Sequence, residues 1–253
     1  MTADDYLKAI LEREAVPRDP GLLPAALVDC VGAICRDWAG PDFLEIVPAG
    51  SFEKGTANLS GRQIDFLAVL APDTARPLEE AYAALWQRFE ALGLRPERRN
   101  VSIGIRVSGR LVDVIPARRE ARDSDAHMLF LPRAGKTVTT MPALHAGGIG
   151  ASGLTDEIRL MKLWRDQRGL PFPSFYLELS VLAALDGQGR AGLAENVWAV
   201  LVYLERSFLS RAVLDPANAN NIVSDMLAQS EKSQIAASAR RSLADAAWQE
   251  IVA

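Results

Sequence analysis

The stretch GSFEKGTANLSGRQIDFLAVL, residues 50–70, joins a glycine-rich turn to an apolar strand. Asp65 interrupts the strand IDFLAVL (64–70) near its start, and a carboxylate among such neighbours is costly unless it meets a partner or a metal. In the preceding turn, Gly50 lets backbone N–H groups approach a phosphate closely, and the hydroxyl of Ser51 adds a donor. The stretch therefore predicts a strand that presents a carboxylate beside an anion-binding turn, although such a turn taken alone is also typical of a plain structural loop.

A second carboxylate interrupts an apolar run further along the chain. Residues 101–107 (VSIGIRV) alternate as a half-buried strand does, Ser108–Gly109 makes a tight turn, and RLVDVIP (110–116) returns with Asp113 at its centre. One such residue is compatible with a satisfied structural acid. Two on separate strands of a small sheet indicate convergence, which requires a cation between them. Mg²⁺ bridging carboxylates and phosphates is the usual arrangement in phosphoryl transfer.

The rest of the pattern predicts an α+β fold. Before the hairpin come a helix at 22–38, a strand at 43–48 and a helix at 78–92, which together make a mixed α/β lobe with a mixed β-sheet. Few periodic signals fall in 118–153, which is interpreted as a long connecting segment. From Thr155 onward the pattern is helical, with helices predicted at 155–168, 174–186, 193–211 and 229–251 and a capped loop at 215–221. We therefore expect lobes at 1–153 and 154–253, with a ligand cleft between them.

Composition favours a small anionic ligand over a long nucleic acid. The chain has 28 Lys and Arg against 32 Asp and Glu, a formal net charge of −4. Proteins that grip long nucleic acids usually show a basic face, whereas a free nucleotide needs only a few cations. No apolar stretch approaches the roughly 18–20 residues of a membrane span, and the first residues lack the features of a targeting segment. We expect a cytoplasmic protein with no membrane partner.

The cysteines and histidines do not form a metal-binding or catalytic motif. Cys30 and Cys35 are too few and too close for a zinc site or a disulfide framework, and are expected to be buried thiols. His127 and His145 have no paired His or Cys nearby and are expected in loops or at the surface.

The stretch at 50–70 resembles the signature of the DNA polymerase β-like nucleotidyltransferases: Gly-Ser, a turn with Gly-Thr, then Asp-x-Asp on a strand. It is most similar to the oligoadenylate synthetase and cGAS-like branch, which includes the bacterial CD-NTases. Gly50, Ser51, Lys54 and Thr56 match the front of the signature, Asp65 matches its second Asp, and Asp113 in VDVIPA resembles the third carboxylate. The resemblance covers most of residues 22–222.

The helical half carries a second part of the resemblance. RLMKLWRDQ followed by PSFYLEL is similar to the motif in which a Lys and a Ser hold the triphosphate tail. On that basis Lys162 and Ser174 are phosphate ligands, and Phe175 or Tyr176 stacks on a base. From the residues alone, Lys162 is equally compatible with a surface lysine and Ser174 with a helix N-cap.

One position departs from the signature, because Gln63 stands where the first Asp of Asp-x-Asp is expected. An amide oxygen is a poor substitute for a carboxylate on Mg²⁺, so the metal that activates the attacking hydroxyl is expected to be weakened. The chain is then either a natural homologue with reduced or lost catalysis, which senses or sequesters nucleotides, or an active enzyme into which an inactivating substitution has been introduced.

The resemblance implies a metal-dependent, template-independent nucleotidyltransferase. It implies NTP substrates, ATP among them, Mg²⁺ or Mn²⁺ as cofactor, and catalysis centred on residues 63, 65 and 113. It also implies a linear or cyclic oligonucleotide product in antiphage defence, and a possible protein partner from a defence operon. The alternatives are a nucleotide-binding pseudoenzyme and an RNA 3′-end nucleotidyltransferase of the tRNA type.

Overall fold

The computed structural model of the chain describes residues 1–16, 25–61, 63–99, 101–187 and 191–253. Within those residues the helices are Ala3–Arg13 (α1), Ala25–Ala39 (α2), Gly50–Glu53 (α3), Leu78–Ala91 (α4), Pro142–Ser152 (α5), Thr155–Gln167 (α6), Ser174–Leu185 (α7), Leu193–Arg206 (α8), Gln229–Ala244 (α9) and Trp248–Ile251 (α10). The strands are Phe43–Ala49 (β1), Gln63–Leu70 (β2), Glu97–Arg98 (β3), Ile103–Val107 (β4), Arg110–Arg119 (β5), His127–Leu131 (β6), Lys136–Thr140 (β7), Leu214–Asp215 (β8) and Asn218–Ile222 (β9).

Contacts divide the chain into two compact units. The sheet unit comprises Pro17–Gly55 and Gly61–Gly147, and the helical unit comprises Met1–Val16, Thr56–Ser60 and Gly148–Ala253. This division differs from the predicted boundary at 153/154, because α1 and the segment 56–60 group with the C-terminal helices.

The sheet unit is built on a mixed sheet, as predicted. Its strands lie in the order β1-β2-β5-β4-β3, with β6 paired to β5 and β7 paired to β6. Strands β2 and β5 are parallel and the other pairs are antiparallel. Side chains alternate along each strand, and those of Ile64, Phe66, Val112 and Val114 pack in one core with α2 and α4. The opposite face carries Asp65 and Asp113.

Helix α4 shows how the sequence determines which side chains of a helix pack against the sheet. Pro77 precedes the first turn, and the buried residues of α4 recur at helical spacing. They are Leu78, Ala81, Tyr82, Leu85 and Phe89. The indole Nε1 of Trp38 in α2 donates to the carbonyl of Ala81 at 3.1 Å, which ties the two helices together.

The helical unit has a single large apolar core. Leu7, Ile10 and Leu11 of α1 lie in it together with residues from α6 to α10. Segment 56–60 belongs to this unit through polar contacts: the Asn58 side chain donates to the carbonyl of Arg159 at 2.9 Å and accepts from the guanidinium of Arg159 at 3.2 Å. The carboxylate of Asp4 accepts from the backbone N–H of Ala194 at 2.8 Å and so caps the start of α8.

The interpretation of 118–153 as one long connecting segment is wrong. Strand β5 continues to Arg119, β6 and β7 form a hairpin, and α5 begins at Pro142. The hairpin escaped detection because β7 (KTVTT) has one strongly apolar residue, so it shows no clear alternation. Helix α5 escaped because Gly147, Gly148 and Gly150 lower its helix propensity.

Smaller predictions also differ from the structure. The predicted loop at 215–221 includes strands β8 and β9, and the predicted helix at 229–251 is broken after Ala244. The start of the predicted helix at 22–38 lies outside the described residues. Cys35 is buried as expected, whereas Cys30 is exposed. Both histidines are buried, at 8% and 7% exposure, rather than at the surface. No described helix is long and apolar enough to cross a membrane.

Candidate functional site

Strand register brings the two predicted acids together. Asp65 in β2 is the direct partner of Asp113 in the parallel strand β5, and adjacent strands lie about 4.8 Å apart. Partner residues point to the same side of a sheet, so both carboxylates lie on the face away from α2 and α4. Gln63, two residues before Asp65, is on that face as well. The predicted convergence of residues 63, 65 and 113 is therefore present in the geometry of the sheet.

Gly50 lies directly against one of these carboxylates. Its φ is +72°, a conformation that favours glycine. A Cβ atom built on Gly50 would lie 1.8 Å from Oδ2 of Asp65, well inside any real contact. Position 50 therefore requires glycine for two reasons: its backbone has a positive φ, and it lies against the carboxylate of Asp65. Ser51 follows in the short helical turn α3, whose last residue precedes Lys54.

Asp113 is held by several donors and is only 6% exposed. The hydroxyl of Ser102 donates to its Oδ2 at 2.8 Å, and the side chain of Gln63 is a further hydrogen-bond partner. Burial raises the pKa of Asp113, while Ser102, the nearby guanidinium of Arg99 and Gln63 oppose that rise. The amide of Gln63 therefore helps to hold the carboxylate of Asp113 in place. Unlike an Asp, it brings no negative charge.

Gly104 makes room for the guanidinium of Arg99. It is the β4 partner of Asp113, and a Cβ there would lie 3.0 Å from Oδ1 of Asp113 and 3.1 Å from Nε of Arg99. Arg99 also pairs with Glu97 at 2.8 Å, and Glu97 is in turn the β3 partner of Gly104. Sequence reasoning missed Ser102, Arg99 and Glu97. The available signal was a glycine inside an otherwise regular strand, which often marks a close approach.

These residues fit one divalent cation better than two. Asp65 and Asp113 offer oxygen ligands of the kind that Mg²⁺ and Mn²⁺ take. Among the described residues, no three His, Cys, Asp or Glu side chains are grouped so that they could hold a metal. The amide of Gln63, hydrogen-bonded to Asp113, stands where the resemblance predicts the first Asp of Asp-x-Asp.

Lys162 lies in the helical unit, in a buried ion pair. Its Nζ is 2.7 Å from Oε1 of Glu178 and 2.7 Å from the hydroxyl of Thr56, and the side chains of Lys162 and Glu178 are 6% and 2% exposed. A phosphate that reached Lys162 would have to compete with the carboxylate of Glu178. Thr56, predicted to bind nucleotide, is itself completely buried in this cluster.

Ser174 is exposed at the start of α7, and its hydroxyl accepts from Nη1 of Arg165 at 2.8 Å. Phe175 is partly exposed. Tyr176, by contrast, is 0% exposed and packs on Phe172 and Phe208, with ring centroids 5.4 and 5.0 Å away. The idea that Tyr176 stacks on a base is therefore wrong for this structure. Its position in a long apolar run (FYLELSVLAAL) indicates the core residue that it is.

Comparison with known proteins identifies the fold. No protein-family model and no curated protein matches the sequence. Among solved structures, CdnC of E. coli MS115-1 with ATP matches with a TM-score of 0.75 and 19% identity, over 96% of this chain and 91% of that one. The CD-NTase CdnG of Bradyrhizobium diazoefficiens with GTP matches with a TM-score of 0.74 and 13% identity, over 94% and 89%. The Cid1 poly(U) polymerase matches with a TM-score of 0.63 and 13% identity, over 95% and 93%. The chain therefore has the polymerase β-like nucleotidyltransferase fold, in the form that the bacterial CD-NTases share.

Proposed function

We propose that this chain binds nucleoside triphosphates with a divalent cation, and that its fold serves template-independent transfer of a nucleotidyl group to an acceptor hydroxyl. The observation that carries the proposal is the pairing of Asp65 with Asp113 across parallel strands, with Gly50 in contact distance of Asp65. Two level carboxylates with a glycine turn beside them suit a cation that also binds phosphate oxygens.

Each residue of the sheet unit has a definite part in this proposal. Asp65 and Asp113 hold the cation, which when bound neutralises charge on the phosphates and polarises the phosphoryl group. Backbone N–H groups at Gly50, the hydroxyl of Ser51 and the ammonium of Lys54 bind phosphate oxygens. Ser102 and Arg99 keep the carboxylate of Asp113 oriented. In the helical unit, the resemblance alone supports Lys162, Ser174 and Thr56 as phosphate ligands and Phe175 as the residue that stacks on a base.

Gln63 predicts that catalysis by this chain is impaired. Incubation with labelled NTPs and Mg²⁺ or Mn²⁺ should give little product, whereas Gln63→Asp should give about a hundredfold more, the scale that one preorganised charge-stabilising group contributes. By resemblance, the product is a linear or cyclic oligonucleotide of the kind made in antiphage defence. If neither form binds a non-hydrolysable NTP, the proposal fails.

A nucleotide-binding pseudoenzyme is the second candidate. The hydrogen bond between Gln63 and Asp113 supports it, because the amide satisfies the acid without a metal. In that case both the chain and Gln63→Asp bind a non-hydrolysable NTP, and neither yields product. A protein partner from a defence operon fits this role as well as the enzymatic one, and a solved structure exists of CdnC with HORMA-deltaN.

RNA 3′-end transfer is the third candidate, supported by the likeness to the Cid1 poly(U) polymerase. It requires phosphate contacts along a strand, so affinity for a single-stranded oligonucleotide should fall steeply with salt. A shallow salt dependence, together with product from NTPs alone, would exclude it. The net charge of −4 favours that outcome.

A further inference from the structure

We infer that Asn58, Arg159 and Glu14 are positioning residues for nucleotide binding, because they hold segment 56–60 and through it the turn that begins at Gly50. The inference rests on the proposed function, since it takes that turn to bind phosphate and the following strand β2 to carry a carboxylate that holds the cation. These three residues act through the chain and not by contact with the nucleotide.

Segment 56–60 joins the two parts of the sheet unit that carry the candidate site, although it groups with the helical unit. On one side of it, the turn from Gly50 ends at Gly55, whose backbone N–H donates to the carbonyl of Phe52 at 3.1 Å. On the other side, β2 begins three residues after the segment ends. Successive Cα atoms are about 3.8 Å apart in a trans chain. A displacement of the segment is therefore transmitted to the turn and to the start of the strand.

Asn58 holds the middle of the segment with both ends of its amide. It is 6% exposed, its Nδ2 donates to the carbonyl of Arg159 at 2.9 Å, and its Oδ1 accepts from Nε of Arg159 at 3.2 Å. Nη2 of the same guanidinium donates to the carbonyl of Leu11 at 2.9 Å. Because Arg159 lies in α6 and Leu11 in α1, one arginine ties the segment to two helices of the same unit.

Glu14, the residue that follows α1, holds the end of the segment. Its backbone carbonyl accepts from the N–H of Leu59 at 3.0 Å, and its Oε2 accepts from the N–H of Ser60 at 2.8 Å. Bonds to a charged acceptor are the stronger kind. Three consecutive residues of the segment are thus fixed by polar bonds to α1 and α6. Supporting bonds of this kind are what keep a binding loop in its productive conformation before the ligand arrives.

A purely structural role and a positioning role predict different results. If the bonds of Asn58 and Glu14 only stabilise the helical unit, their loss lowers the unfolding free energy and leaves the folded protein's nucleotide site as it was. If they position the turn, their loss also loosens residues 50–55 in the folded protein. Affinity then falls, since binding must order the turn.

The test measures two quantities at a temperature where every variant is folded. The first is affinity for a non-hydrolysable ATP analogue with Mg²⁺, by calorimetry. The second is amide hydrogen exchange of residues 50–55 without nucleotide. Asn58→Ala should weaken the affinity about tenfold, because the turn is no longer preorganised, and should speed exchange at 50–55.

Tyr6→Phe is the matched control in the same unit. The hydroxyl of Tyr6 donates to the carbonyl of Val252 at 3.1 Å, so this variant also loses a hydrogen bond of α1, but none that reaches segment 56–60. Affinity and exchange at 50–55 should both stay as in the unaltered chain.

A pair of variants at Glu14 provides a second, milder test, which decides the matter if Asn58→Ala does not fold. Glu14→Ala removes the acceptor of the Ser60 N–H and should weaken the affinity about fivefold, the scale of one hydrogen bond. Glu14→Gln keeps a side-chain oxygen that can accept from Ser60. It should restore most of the affinity and the slow exchange at 50–55.

The outcomes separate this inference from the proposed function. If the unaltered chain binds the analogue, but the folded Asn58→Ala and Glu14→Ala variants show no loss of affinity or no faster exchange at 50–55, the positioning role is wrong. The same holds if Tyr6→Phe changes both quantities as much. If the unaltered chain does not bind the analogue, the proposed function fails, whereas the exchange measurement still shows whether the segment holds the turn.

Discussion

Two sites of buried charge in this molecule are organised in opposite ways. In the helical unit, Lys162 and Glu178 form a buried ion pair completed by the hydroxyl of Thr56. In the sheet unit, Asp113 is almost equally buried, yet its neighbours are the hydroxyl of Ser102, the amide of Gln63, the guanidinium of Arg99 and a second carboxylate. The first site joins a buried cation to a buried anion, whereas the second places two carboxylates at partner positions of adjacent strands. Opposite charges in contact are typical of structural ion pairs, and neighbouring acids with a shifted pKa are typical of sites that take a ligand.

The largest effect is expected when the ion pair between Lys162 and Glu178 is broken. Glu178→Gln removes the anion and leaves Lys162 buried without its carboxylate, which should cost about 3–5 kcal/mol of unfolding free energy. Urea denaturation measures this. As a control, Glu205→Gln removes the partly buried carboxylate that pairs with the exposed guanidinium of Arg240 and should cost at most about 1 kcal/mol. Equal losses in the two variants would show that the buried pair is not the structural element described here.

The next largest effect is expected from Gly50→Ala, which tests the contact of Gly50 with Asp65 in the acid pair. The new methyl group would overlap the carboxylate of Asp65, so we expect a loss of about 2–4 kcal/mol from overpacking and the positive φ together, with NTP binding abolished. Gly55→Ala is the matched control, because Gly55 has φ +68° and no atom within 4 Å of its Cβ position. It should show the backbone cost alone, about 1 kcal/mol. If Gly50→Ala lost no more unfolding free energy than Gly55→Ala, the close approach of Gly50 to Asp65 would be contradicted.

Tyr176→Phe tests whether Tyr176 is a core residue of the helical unit or a residue that stacks on a base. The hydroxyl of Tyr176 is buried and has no hydrogen-bond partner among the described residues, so its removal should raise the unfolding free energy by about 1 kcal/mol. Affinity for NTPs, measured by calorimetry, should not change. A weaker affinity would restore Tyr176 as a residue that stacks on a base.

The smallest expected effect concerns His127, another buried ionisable group. Burial lowers its pKa, and Arg119 nearby lowers it further. The unfolded chain therefore takes up the proton first, so stability should decline as pH falls from about 6.5 toward the lower folded pKa. His127→Gln should flatten that decline in denaturation curves measured at pH 5, 6 and 7. An unchanged slope would show that His127 does not cause it.

Sequence predicted the acid pair because each acid breaks an apolar strand, a signal that is local and strong. It predicted the mixed sheet and the helical half from local signals as well, since α4 has apolar residues at helical spacing and β2 is a short apolar run. It could not predict that Glu178 would neutralise Lys162, because the two are 16 residues apart and meet only when α6 packs on α7. Nor could it predict the contact of Gln63 with Asp113, which depends on β2 and β5 being neighbours in register.

The parallel pairing of β2 with β5 has one more consequence. The two carboxylates are level because of strand alignment, not because of a choice of rotamer. A slip of either strand by one residue would turn its acid into the layer under α2 and α4, where Ile64 and Val112 now lie. Small distortions of the protein therefore cannot separate the acids gradually. The pair is kept whole, or it is lost by replacing one of its two side chains.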